Sequence, residues 1–169
     1  MLNPVDTEAV IRDGGATGRF PGEIHEGVAW WLGACLVVTQ KARRIGVAHD
    51  GHPAVAEFTS RLCRGAINAQ HYACNVRLLG HQTEARLLAA LKSFQGAPGA
   101  WLSASTDDEA LIMRITLYSR HGIALDETNG LAEIRRMIDE DRVPIPVNDQ
   151  ARGTIEPWHH QMAKGMCPS

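Results

Sequence analysis

The segment Gly99-Ala-Trp-Leu-Ser-Ala-Ser-Thr-Asp-Asp108 sets a short apolar run directly before two hydroxyls, Ser103 and Ser105, and two carboxylates, Asp107 and Asp108. An apolar run of this length opened by a glycine reads as a buried strand, Ala100 to Ala104. The polar residues then fall at its carboxyl end, where an open α/β sheet gathers its functional loops. A serine hydroxyl is a weak nucleophile and needs a neighbouring base or a polarised electrophile. Residue types alone leave two readings open, a nucleophile loop and a set of loop-bonding Ser and Asp side chains.

Outward from this segment, strand-like and helix-like stretches alternate. Ile24 to Gln40 carries Val28, Trp31, Leu32, Cys35 and Leu36 at helical spacing. Ile45 to Ala48 is a short buried strand ending in the turn residues His49-Asp-Gly-His52. Pro53 opens a second helix through Asn68, with Phe58, Leu62 and Ala66 on one face. Tyr72 to Leu79 is a strand stopped by Gly80, and Thr83 caps a helix carrying Leu87, Leu88 and Leu91. Leu111 to Tyr118 alternates as a fourth strand, and Leu131 to Glu140 is a last helix with Ile134, Met137 and Ile138. Strands separated by helices of this size imply an α/β sheet with helices on both faces. The organisation expected is one α/β domain over residues 1–140 and an irregular arm over 141–169. Pro144, Pro146, Pro157 and Pro168 rule out a long helix in that arm. Trp158-His-His160 within it reads as a docked aromatic anchor or as a metal or ligand contact.

The 169 residues suffice for one domain with a substantial core, and 44% apolar with 21% charged residues is ordinary for a globular protein. A net charge of -2 gives no general attraction to nucleic acid, and no Lys/Arg run builds a local patch, so no nucleic-acid partner is expected. Cys35, Cys63, Cys74 and Cys167 show no C-x-x-C spacing, and Cys35 and Cys63 fall on apolar helix faces, which predicts reduced core thiols. No basic start precedes an apolar segment, and no apolar run approaches the ~20 residues of a membrane span. The expectation is a cytoplasmic chain without a membrane partner.

Three segments carry candidate chemistry. In Arg12-Asp-Gly-Gly-Ala-Thr-Gly18-Arg19 the glycines let the backbone approach an anion, and Arg12 or Arg19 can clamp phosphate through a planar fork. A mobile Gly-rich loop reads the same way. In His49-Asp50-Gly51-His52 two histidines flank a carboxylate, an arrangement suited to proton transfer. A turn in which Asp50 bonds its own backbone is the alternative. The spacing does not match a closed metal site, and no metal ligands are assigned. The third segment is Ser103-Ala-Ser105-Thr106-Asp107-Asp108.

In order and spacing these segments resemble the first domain of the α-D-phosphohexomutases, the phosphoglucomutase/phosphomannomutase family. Ile11-Arg12 and Gly18 fall where that family has its arginine- and glycine-bearing first loop, and Ala29-Trp-Trp31-Leu-Gly33 follows in a helix at matching distance. Val47-Ala-His-Asp-Gly-His52 resembles the V-G-x-D-x-R turn, Gly80-His-Gln-Thr83-Glu the G-x-x-P-T-P segment, and Leu102-Ser-Ala-Ser105 the T-A-S-H-N-P loop whose serine is phosphorylated. The resemblance covers roughly residues 10 to 140. It implies a three-layer α/β/α domain with a four-stranded mixed sheet whose last strand is antiparallel, in agreement with the strand count read from the residues.

The departures bear on activity. His-Asn-Pro after the serine is replaced by Thr106-Asp107-Asp108, the arginine of the aspartate turn by His52, and the N-G-x-K lysine has no counterpart in Leu111-Ile-Met-Arg-Ile115. The family's magnesium loop, sugar-specificity loop and phosphate-binding domain are expected to be missing. Phosphoryl transfer needs metal and cationic clamps, so Mg2+ enters only through a partner that supplies that loop. The expected function is a repurposed small enzyme acting on a phosphosugar or similar polar metabolite in the serine-loop crevice. Ser105, His49, Asp50, His52 and Asp107 would serve as catalytic groups, with Arg12, Gly18, Arg19, Ser103, Thr106 and Asp108 as ligand contacts. The alternatives are a non-catalytic phosphosugar- or protein-binding module and the serine-bearing subunit of a split phosphohexomutase. A domain of this kind has former interdomain surface to cover, and a homodimer is the simplest partner.

Overall fold

The computed structural model describes residues 5–69, 72–143 and 151–158. Its elements in chain order are α1 (Thr7–Val10), β1 (Ile11–Arg12), β2 (Gly15–Phe20), α2 (Glu26–Gln40), β3 (Arg44–His49), α3 (Val55–Ile67), β4 (Asn75–His81), α4 (Glu84–Ser93), β5 (Gly99–Asp107), β6 (Ala110–Tyr118), a π-helical turn (Glu127–Leu131), α5 (Ala132–Asp139) and β7 (Thr154–Pro157).

The sheet has seven strands in the order β1-β2-β6-β5-β3-β4-β7, not the four expected. The expected four are its centre, β6-β5-β3-β4, with β6 antiparallel to β5 and the other three parallel. The additional strands come from segments read as irregular. Ile11–Arg12 and the Gly-rich stretch that follows pair as β1 and β2, and β2 runs antiparallel along β6. Gly15 packs so closely there that a Cβ would lie 2.0 Å from the Ile115 carbonyl oxygen. The arm contributes β7, parallel to β4. Its exposed edge ends in Pro157, which cannot extend the ladder. Gly80 does not stop β4; it is absorbed in a bulge, at φ +80°, and pairing continues to His81.

Side chains alternate between the two sheet faces. Val47, Ala100, Leu102, Met113, Ile115 and Leu117 pack with Phe58, Leu62, Leu32, Leu36 and Ile134 in the main core, on the face covered by α2, α3 and α5. Ala48, Trp101 and Tyr118 turn the other way, toward Leu87 and Leu91 of α4. Helices therefore lie on both faces. Central α2 is buried along most of its length and packs closely on α3. Glycines make that crossing tight: a Cβ on Gly33 would stand 2.1 Å from the Leu62 carbonyl oxygen, and one on Gly65 2.0 Å from that of Trp30. α4 begins where the sequence indicated, with Thr83 accepting from the Arg86 N–H at 3.1 Å. Trp158 packs its ring 4.6 Å from that of Phe94 and donates its backbone N–H to the Leu78 carbonyl, anchoring the end of β7. His159, His160, Pro144, Pro146, Cys167 and Pro168 lie outside the described residues. No helix among those described is long and apolar enough to cross a membrane.

Candidate functional site

The segment read as a loop is a strand. β5 runs unbroken through Ser103, Ser105 and Thr106, and pairs with β6 to its tip, where Asp107 faces Ala110. The connection is the two residues Asp108 and Glu109, at φ 53° and 67°. Two left-handed residues in succession are what a tight type I′ hairpin demands. The carboxylates that followed the serines thus form a hairpin tip.

Asp50 joins this hairpin to the parallel sheet. β3 pairs with β5 as far as His49 and Leu102, and the Asp50 N–H then donates to the Leu102 carbonyl at 3.0 Å. Its side chain continues the ladder: Oδ2 accepts the Ala104 N–H at 3.0 Å, and Oδ1 accepts the His52 N–H at 2.9 Å. Both oxygens are engaged by backbone donors, which is the turn alternative in full. The histidines behave similarly. Nδ1 of His49 accepts from Gly51 N–H, and Nδ1 of His52 from Ala54 N–H, each at 3.0 Å. In their neutral forms this leaves Nε2 as the protonated nitrogen of each ring. His49 stacks on His81, centroids 6.4 Å apart and planes 13° from parallel. Burial, and then the neighbouring His81, lowers the His49 pKa, with Asp50 opposing. His25 also accepts through Nδ1, from Gly27 N–H, and caps α2.

The registers place the remaining candidates. Residues directly opposite in a sheet share a face, which gives the rows Arg19–Ile112–Ser105, Thr17–Arg114–Ser103 and Arg12–Gly15–Thr116–Trp101. Ser103, Ser105, Asp107, Arg114 and Arg19 stand on the α4 side of the sheet, beyond the part that α4 covers. Ser105, Asp107 and Arg114 are exposed and Ser103 is half-buried. Arg19 is ion-paired with Glu23 at 3.2 Å. Thr106 points to the opposite face, and Gly18 faces Met113 on the core side. Arg12 is not part of this group. It lies three strands from β5 and four residues short of Ser105, a separation on the order of 20 Å. Its guanidinium is held by the Ala9 carbonyl and the Asp13 carboxylate.

Two residues that the sequence reading passed over complete the site. Trp101, two residues before Ser103 on the same face, donates its indole N–H to the Gln82 carbonyl at 3.1 Å. It walls a cleft of about 300 Å3 shared with Asp50, His81, Gln82 and Thr83. Arg114, across from Ser103, makes no ion pair or side-chain hydrogen bond among the described residues. The signal for Arg114 was its place as the one charge in the alternating strand Leu111 to Tyr118. Trp101, Ser103 and Ser105 follow one another on one face of β5, with Arg114 of β6 opposite Ser103. Ser103 is about 7 Å from Trp101 along the strand. No group of three or more His, Cys, Asp or Glu side chains able to hold a metal ion occurs among the described residues.

No family model and no curated protein matches the chain. Solved structures do. A phosphoglucomutase/phosphomannomutase family protein from Burkholderia thailandensis superposes with a TM-score of 0.69 at 15% identity, covering 95% of this chain and 35% of its own. A protein assigned as a phosphomannomutase from Thermus thermophilus gives 0.64 at 19% identity, covering 96% and 35%. The chain spans about a third of the length of these neighbours and shares the fold of that part of the phosphoglucomutase/phosphomannomutase structures.

Proposed function

We propose that this chain binds a sugar phosphate along β5, the sugar against Trp101 in the cleft and the phosphate on Arg114, Ser103 and Ser105. The observation that carries this reading is Arg114, an exposed guanidinium without an ionic partner among the described residues, set on one sheet face with two hydroxyls. A guanidinium and adjacent hydroxyls suit a phosphate, since charge-assisted hydrogen bonds are about twice as strong as neutral ones. An indole offers an apolar wall to a sugar ring, with its polar edge already held by Gln82. The phosphoglucomutase/phosphomannomutase fold supports the ligand class.

Binding comes ahead of catalysis because the titratable groups of the turn after β3 are occupied. Asp50 spends both oxygens on backbone N–H groups, and His49 and His52 each commit Nδ1 to the turn. Asp107, on the Ser105 face, is exposed at the hairpin tip, and no side-chain hydrogen bond among the described residues orients it toward the hydroxyl. A second reading, the serine-bearing part of a phosphohexomutase completed in trans, is favoured by one observation, the exposure of Ser105 on the same face as Arg114.

Calorimetric titration with glucose 6-phosphate and mannose 6-phosphate tests the first reading. Arg114→Gln is expected to weaken binding roughly tenfold or more, since a hydrogen bond to a charged group is worth about 1.5–3 kcal/mol, with no turnover by either protein. Equal binding by wild type and Arg114→Gln contradicts it. Intact mass after incubation with glucose 1,6-bisphosphate tests the second: a single added phosphate at Ser105 supports it, and an unchanged mass excludes it.

A further inference from the structure

We propose that the opposite end of the sheet holds a second anion site, built for a ligand with phosphoryl groups in tandem, a triphosphate or longer polyphosphate chain. At the amino ends of β3 and β5, away from Asp50 and Ser103, a groove of about 300 Å3 is lined by Lys41, Arg43, Arg44 and Arg120 beside Phe94 and Gln95. Among the described residues no acidic side chain lines it. The expectation that no local basic patch exists fails here, because the fold adds Arg120, from beyond the end of β6, to the three cations that follow α2.

Local structure accounts for only part of this charge. Arg120 donates to the Gln40 carbonyl at 2.6 Å, as a cation at a helix C-terminus should. The Arg44 guanidinium lies 4.6 Å above the Phe94 ring. Both contacts fix the position of a cation without neutralising it. Lys41 and Arg43 make no ion pair or side-chain hydrogen bond among the described residues. Glu156 is paired at 3.4 Å with Arg77, whose guanidinium lies 5.2 Å from the centre of the same Phe94 ring. Four like charges in one concavity repel one another, and the half-charge of a helix end does not offset them. In a chain whose net charge is -2, this concentration points to an external anion. One phosphate monoester, at about -1.5 to -2, leaves half the groove's charge unanswered; a triphosphate matches it. Arginine forks are suited to successive phosphoryl oxygens.

The test is titration of the full chain with tripolyphosphate and, in parallel, with ATP, at two salt concentrations. Lys41→Gln/Arg43→Gln alters side chains that make no bond among the described residues, so its melting temperature is expected to match wild type. Its tripolyphosphate affinity is expected to fall roughly tenfold or more, and wild-type binding to weaken steeply with salt. Arg114→Gln is expected to bind tripolyphosphate as wild type does, which separates this site from the one on β5. Tighter binding of ATP than of tripolyphosphate identifies a nucleotide as the source of the phosphates, and the reverse a free polyphosphate. The proposal is overturned by absent or non-saturating tripolyphosphate binding, by unchanged affinity in the double variant, by its loss in Arg114→Gln, or by a response to single-stranded RNA alone.

Discussion

Asp50→Asn separates a structural role for this carboxylate from a chemical one. In the folded chain its two oxygens accept the N–H groups of His52 and Ala104, at 2.9 and 3.0 Å, and both bonds are partly buried. Asparagine keeps one acceptor oxygen and turns an amide toward the second N–H, donor against donor. The change removes one bond to an ionised acceptor, about 1.5–2 kcal/mol at the lower end of such bonds given partial exposure; alanine removes both, about 3 kcal/mol. For a domain of this size a kcal/mol corresponds to about 2–4 °C, so Asp50→Asn should melt roughly 3–8 °C below wild type. Urea denaturation should give the matching free-energy change, and the Ala104 amide should exchange with solvent faster than in wild type. Wild-type stability and unchanged exchange at Ala104, together with loss of ligand affinity, would refute the clamp.

Three further perturbations test other joints of the fold. Gly33→Ala places a methyl 2.1 Å from the Leu62 carbonyl oxygen, forces α2 and α3 apart and should cost about 3 kcal/mol by urea denaturation; a loss under about 1 kcal/mol contradicts the tight crossing. Burial lowers the pKa of His25 and His49 below the ordinary 6.5, so the unfolded chain binds more protons than the native one between the lowered values and 6.5. Stability should therefore be full above pH 6.5 and decline as pH falls through that window, with His25→Gln and His49→Gln flattening the melting-temperature profile; a profile that falls with rising pH there contradicts the assignment. Replacing Asp108-Glu109, at φ 53° and 67°, by Asn-Gly should stabilise the hairpin by about 0.5–1 kcal/mol, whereas destabilisation contradicts the type I′ turn.

The central architecture was legible because its signals are local. Thr83 caps α4 as its residue type predicts, the alternation in Leu111–Tyr118 is β6, and Phe58, Leu62 and Ala66 share the buried face of α3. The misread segments depend on partners distant in sequence. Gly15–Phe20 looks like a loop until β6 lends it a ladder, and Thr154–Pro157 is a strand only beside β4. Asp107-Asp108 carries none of the usual Asn-Gly hairpin signature, since Asp108 and Glu109 hold their left-handed conformations without a glycine. Asp50 reaches the Ala104 N–H, between Ser103 and Ser105, because β3 and β5 are parallel neighbours. Their chemistry was not legible, because whether a carboxylate is free or bonded to Ala104 is settled by the strand register. The same register brings Arg114 opposite Ser103 and leaves Arg12 at the far edge. Cys35, Cys63 and Cys74 are buried free thiols, each pushed up to about 12 by burial, in keeping with apolar core positions.

A crystal of the full chain grown or soaked with millimolar glucose 6-phosphate bears most directly on the proposed sugar-phosphate site. The account predicts density for the phosphate within hydrogen-bonding distance of the Arg114 guanidinium and a hydroxyl of Ser103 or Ser105, with the ring against Trp101. A phosphate bound near Arg12, or a β5–β6 face that stays empty while the ligand binds elsewhere on the chain, contradicts it.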